Sequence, residues 1–123
     1  MSGPFEKLEV MAPVRIWDGI RAREMTGDGV TFAVVELDAG STVPEHRHPN
    51  EQLGMLISGS MTFRIGNETR ELGPGDTWNI PGDVPHEVHA GPDGAVVAEV
   101  FAPRRDDWAA LDRDQPGVPR WPV

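Results

Sequence analysis

The chain has 123 residues, enough for one domain with a single core and too few for two. Twenty Asp and Glu against eleven Lys and Arg give a net charge of -9, which argues against nucleic acid and anionic membrane as partners. There is no cysteine, so disulfides and thiolate metal sites are unavailable, and any metal must be held by His, carboxylate, amide oxygen or water.

Residues 1–13 are polar and Pro-interrupted and read as an N-terminal arm. They carry no basic n-region and no long apolar core, so no signal peptide is expected and the cytoplasm is the expected location. No run approaches the length needed to span a bilayer. Residues 14–25 read as one or two short strands, and Thr26-Gly27-Asp28-Gly29 as a turn. Residues 30–37 are β-branched and apolar, a strand. Asp38-Ala39-Gly40-Ser41 turns the chain into a His-bearing segment. Residues 52–57 form the next strand, closed by Ser58-Gly59. Met61, Phe63 and Ile65 alternate with Thr62 and Arg64, a half-buried strand by period two. Gly66-Asn67 makes a hairpin to 69–72, and Gly73-Pro74-Gly75-Asp76 leads to a strand at 77–80. Residues 84–90 and 95–102 are two more strands, separated by a turn at Gly91-Pro92-Asp93-Gly94. Only 106–111 looks helical, with Asp106 as N-cap. The tail from Asp114 holds three Pro and one Trp, and is expected extended and packed through Trp121, or lying on a second subunit. Fourteen Gly and twelve Pro punctuate about eight to ten short strands, the pattern of an antiparallel sandwich or small barrel.

Three of the four His lie in two proline-flanked segments, Pro44-Glu45-His46-Arg47-His48-Pro49 and Pro81-Gly82-Asp83-Val84-Pro85-His86. On an extended segment His46 and His48 leave the same face. Two imidazoles on one face and a third on a separate strand predict a metal site, and imidazole suits zinc, nickel, manganese and iron alike. His89, three residues past His86, falls on the other face of its strand.

These residues resemble the cupin superfamily. Gly40, His46, His48 and Gly59 match its first motif, with Gln52 at the acidic position. Gly75, Pro81 and His86 match the second, with Asp83 where Gly is usual and Ala90 where Asn often stands. The resemblance runs from about residue 30 to 102, and implies an all-β fold: one cupin-type antiparallel β-barrel or jelly roll, with a short C-terminal helical turn and an extended tail over 103–123. Within cupins, His46-x-His48-Pro49-x-x-Gln52 and the segment from Val100 to Trp108 are similar to small single-domain cupins that linearise 4,5-unsaturated uronates in pectin and alginate degradation. That group uses His, His, Gln and His around its metal, here His46, His48, Gln52 and His86. Its acidic residue and Phe on the last strand map to Glu99 and Phe101, and its following Arg to Arg105. Asp is typical at the Glu99 position, and Asn50 stands where a third His is common.

With three His and one Gln every ligand is neutral, so the ion keeps its double charge, which favours Lewis-acid work. Glu51, one residue off Gln52, points to the opposite face. Glu99 sits in an apolar run, where a carboxylate is costly unless paired or facing a cavity. It is read as an acid/base toward the metal or as a structural ion pair. Arg105 either clamps a substrate carboxylate or pairs with Asp106 or Asp107. Trp78 and Met61 are expected in the core, and Arg21 and Arg23 at the surface, with anion contacts as the alternative for the two Arg. Three functions remain open: a non-redox enzyme acting on a small anionic sugar derivative, an iron-dependent three-His dioxygenase, and a small-ligand-binding module. A homodimer is expected through an exposed edge strand and the tail.

Overall fold

The computed structural model describes residues 3–122. Eight strands follow in order: β1 (Val14–Trp17), β2 (Ile20–Thr26), β3 (Thr31–Leu37), β4 (Thr42–His46), β5 (Glu51–Ile65), β6 (Glu68–Leu72), β7 (Thr77–Ile80) and β8 (His86–Ala102). All pairings are antiparallel. Among the described residues no helix is long and apolar enough to cross a membrane.

The two long strands, β5 and β8, pair with one another along their length and take part in two sheets. The 95–101 end of β8 pairs with β3, which continues to β2 and β1. The 86–89 end pairs with β4. On β5, Gln52–Met55 pairs with β7, and Met61–Ile65 with β6. The result is a two-layered jelly roll of sheets β1-β2-β3-β8-β5-β7 and β4-β8-β5-β6. Among the described residues no ladder joins β1 to β4 or β6 to β7, so the roll has two seams and its hydrogen-bond path stays open.

Two turns expected from the sequence lie inside strands. Ser58-Gly59 does not end β5, and Gly91-Pro92-Asp93-Gly94 does not separate two strands. Between the pairs Gly59–Ala95 and Met61–Ala90, one residue of β5 faces four of β8. Gly59 has φ +85° and Gly94 φ +73°, and a Cβ on Gly59 would stand 2.0 Å from the Gly94 carbonyl oxygen. The turn residues bend two continuous strands from one sheet into the other.

Alternate side chains fill the space between the sheets: Val35 and Leu37 of β3, Leu56, Met61 and Phe63 of β5, Ile80 of β7, and Val88 and Val97 of β8. On the opposite face of β2 and β3, Arg21 stays partly exposed as expected, whereas the surface expectation for Arg23 is corrected. Arg23 is 4% exposed and its Nη1 donates to Glu36 at 2.8 Å, while Arg21 Nε donates to the same carboxylate at 3.0 Å. The tail covers this pair. The Arg120 backbone N–H donates to Glu36 and its Nη1 to the Leu37 carbonyl, both at 2.8 Å. The tail therefore docks through Arg120, and Trp121 remains 39% exposed. Asp106–Ala110 is a 3-10 turn in which Arg105, not Asp106, occupies the N-cap position, with no side-chain cap bond.

Candidate metal centre

His46 ends β4, His48 follows in the loop, and His86 begins β8 directly opposite His46 in the ladder. β4 stops at His46, so the shared face expected of His46 and His48 does not come from one extended strand. The loops bring the rings together instead. The Asp83 N–H donates to the His48 carbonyl at 2.8 Å, and a Cβ on Gly82 would come 2.5 Å from the Pro49 oxygen. Asp83 holds φ +64°, a backbone conformation that disfavours side chains other than Gly, Asn and Asp.

Each ring directs the same nitrogen inward. Nδ1 of His46, His48 and His86 lies 2.9, 3.0 and 2.8 Å from the carbonyls of Pro44, Asn50 and Val84. A carbonyl only accepts, so each Nδ1 carries the proton and each Nε2 offers its lone pair. The three imidazoles place ligand atoms within 4.8 Å of one another. His86 Nε2 is buried with no hydrogen-bond partner among the described residues. His48 Nε2 stands 3.0 Å from Gln52 Oε1, while Gln52 Nε2 donates to Glu99 Oε2 at 2.6 Å. The amide oxygen thus turns a lone pair toward the lone pair of His48. Two acceptors at that spacing repel unless a cation lies between them, and two ligands each about 2.1 Å from one ion can stand so. An orphaned buried imidazole nitrogen and two facing lone pairs fit a metal ion.

Electrostatics agree. Burial lowers the pKa of all three rings, with the Arg105 charge acting in the same direction, and His86 falls to about 4. The rings are neutral near pH 7, the form that ligates.

A cavity of about 60 Å³ adjoins the cluster. Glu99 lines it between Val97 and Phe101, the shared side expected from alternation along β8. Some of its surface stays open to the cavity, yet protein surrounds it closely enough for burial to raise its pKa to about 7 against the opposing pull of Arg105 and Gln52. Among the described residues it forms no ion pair at contact distance, and it is tied to the site through Gln52. Arg105 makes one of the expected ion pairs and also lines the cavity. Its Nε and Nη2 donate to Asp107 at 3.0 and 2.9 Å, and its guanidinium lies 4.9 Å from the Phe101 ring and 4.7 Å from the Trp108 ring at the cavity wall. Asp106 pairs with Arg104 instead.

Phe101 is buried, 5.9 Å from the His48 ring. Glu51 is exposed, and His89 lies outside with Thr42 and Glu87. Asn50 is buried and donates to the Pro103 carbonyl, fastening the His48 loop to the end of β8. Trp78 is core, whereas Met61 is core and also lines the cavity. Trp17 and Trp108 also line it, and sequence reasoning gave neither a place in the site. Trp108 had a faint signal as the one aromatic of the C-terminal turn. Trp17 had none, because only the closing of the roll sets it beside His46.

The family model for the cupin domain matches residues 33–101. Pectin degradation protein KdgF of Dickeya dadantii is 28% identical over 93 residues, covering 74% of this chain and 84% of that protein. Dimethylsulfoniopropionate lyase DddQ of Ruegeria pomeroyi is 36% identical over 70 residues, 50% of this chain and 35% of that longer protein. Among solved structures, KdgF from Halomonas sp. superposes with a TM-score of 0.78 at 26% identity, covering 86% of this chain and 98% of the other.

Proposed function

The chain belongs to the cupin domain family, and from that membership we propose that it is a metal-dependent enzyme opening or isomerising the ring of a small anionic uronate. One observation carries the reading: a buried carboxyl, Glu99, with its pKa raised to about 7, is tied by the Gln52 amide to a convergent set of imidazoles. Similarity to the two KdgF proteins supports the substrate class.

His46, His48, Gln52 and His86 would hold the metal, which when bound supplies Lewis acidity toward a substrate oxygen. Near neutral pH Glu99 can both take and return a proton. With a 4,5-unsaturated uronate it would take the proton of the anomeric hydroxyl, the bond from that carbon to the ring oxygen would break, and a proton would go to the former double-bond carbon. Atoms and charge balance, as an isomerisation requires. Arg105 engages Asp107 through Nε and Nη2, which leaves Nη1 to receive the substrate carboxylate. Phe101 would pack against the sugar. The test is loss of the 4,5-double-bond absorbance with metal-replete protein. Turnover should vanish with Gln52→Ala, Glu99→Gln or a chelator, and no turnover of any unsaturated uronate by the loaded parent would overturn the reading.

A second reading has one observation in its favour. The cavity wall away from the polar cluster is aliphatic, with Val35, Leu37, Val43 and Val97. It suits a shorter carboxylate that meets fewer polar groups than a sugar does, the substrate type in the name of the DddQ relative. Incubation with dimethylsulfoniopropionate tests it.

The same reading treats residues 1–123 as one cupin domain, working in the cytoplasm as a homodimer. The dimer is assigned to the outer face of the larger sheet rather than to an edge strand. Met25, Phe32, Leu53 and Met55 are 40–46% exposed there and adjoin through Val100 and Ala98 in the ladder. The patch is apolar, with Glu51 at its border on β5, which suits a second copy of itself. Four such side chains form the apolar centre of an interface of about 800 Å² per partner. Sedimentation should report a dimer for the parent and a monomer for the double variant Phe32→Glu, Met55→Glu; a monomeric parent would remove this assignment.

A further inference from the structure

We infer that Trp17 is a positioning residue for the metal centre: it closes the seam between β1 and β4 and holds the His46 ring in its ligating direction. The inference rests on the metal reading above and concerns a residue to which neither motif assigns a role.

His46 is the least secured of the three imidazoles. His48 and His86 are 9% and 2% exposed, whereas His46 stays partly open at the end of an edge strand. Among the described residues its strand pairs only with β8, and that ladder loses register between Val43 and His46. One bond, from Nδ1 to the Pro44 carbonyl, leaves the ring free to swing about its side-chain torsions. Packing supplies the missing restraint. The Trp17 ring lies 4.9 Å from the His46 ring, tilted 55°, and the His86 ring lies 4.2 Å from it. Trp17 reaches His46 from the opposite sheet, across a seam that no backbone ladder bridges among the described residues. Both residues line the cavity, so the indole also screens the ligand from bulk water.

Trp17 is itself held from behind. The segment after the 3-10 turn pairs with β1: the Arg15 N–H donates to the Asp112 carbonyl and the Asp114 N–H to the Pro13 carbonyl, each at 2.9 Å. Arg113 grips Glu24 of β2 through both oxygens, at 2.9 and 2.8 Å. The C-terminal segment therefore fixes the strand, the strand fixes the indole, and the indole fixes the imidazole.

The test uses Co²⁺ with the full chain, read as affinity against a competing chelator and as the visible absorption of the bound ion. Trp17→Phe keeps an aromatic plate in the seam and should bind within about threefold of the parent with the same spectrum. Trp17→Leu removes the plate and should bind about tenfold more weakly with a changed spectrum, the scale of other losses around a metal ligand. Parent-like affinity and spectrum in Trp17→Leu would overturn the role, as would equal losses in both variants. Should Trp17→Leu fail to fold, Trp emission carries the test: Co²⁺ should quench the parent more than Trp17→Phe, and equal quenching would overturn it. A parent that binds no Co²⁺ would instead sink the metal reading on which the role rests.

Discussion

Two carboxylates on neighbouring strands of one sheet have opposite surroundings. Glu36 of β3 faces outward, 2% exposed beneath the tail, and receives Arg23, Arg21 and the Arg120 backbone. Glu99 of β8 faces inward and receives the Gln52 amide. Both are enclosed by protein, and at Glu99 burial raises the pKa to about 7. Enclosure becomes chemistry where the compensating charge is withheld. Glu36 fastens the chain end to the sheet, whereas Glu99 keeps a proton that can move.

The comparison can be broken first at the inner site. Saturating the chain with a divalent metal at a thousandfold over its dissociation constant should raise stability by about 4 kcal/mol, and His86→Ala should abolish that gain, both read by denaturant melts. Arg23→Met, which strips the buried guanidinium partner from Glu36, should cost about 3 kcal/mol in urea melts while leaving Co²⁺ affinity within about twofold. A large loss of metal affinity in that variant would erase the division between the two carboxylates.

A pH series sharpens it further. The folded pKa of Glu99 lies above its ordinary 4.5, so its protonated form favours the metal-free fold below that pH, and this contribution is lost as pH rises through about 7. Metal-free Glu99→Gln should therefore gain on the parent by about 1–3 kcal/mol between pH 4.5 and 8. His86, lowered to about 4, works the other way, its contribution being lost as pH falls from 6.5 through 4, but it is present in both proteins and cancels in the difference. The smallest effect belongs to the loop under His48. Asp83→Gly relieves a left-handed non-glycine residue and should raise the melting temperature by a few degrees, about 1 kcal/mol, without changing Co²⁺ affinity.

Much of this was legible in the residues. Alternation placed Met61, Phe63, Val97, Glu99 and Phe101 on the inner side, because period-two patterning is local. The proline-flanked His segments foretold rings that meet, but not the route, because the loop after β4 and not a shared strand face turns His48 toward the others. The burial of Arg23 was hidden, because its cover returns 94 residues later in Gly117 and its neighbours. The length of β8 was also hidden, because Gly-Pro-Asp-Gly spells a chain reversal and here bends a strand that continues. Trp17 was out of reach for a third reason: its partner lies on the other sheet, and no pattern in either segment encodes the distance across a seam.

The bulge of β8 has one more consequence. Even-numbered side chains, His86, Val88 and Ala90, turn inward before it, and odd-numbered ones, Ala95, Val97, Glu99 and Phe101, turn inward after it. An imidazole and a carboxyl thirteen positions apart on a uniform strand would point to opposite sides. The bulge changes the parity, so a single continuous strand delivers both groups to the same chamber, and deleting one residue from it would turn Glu99 out to solvent and Ala98 in.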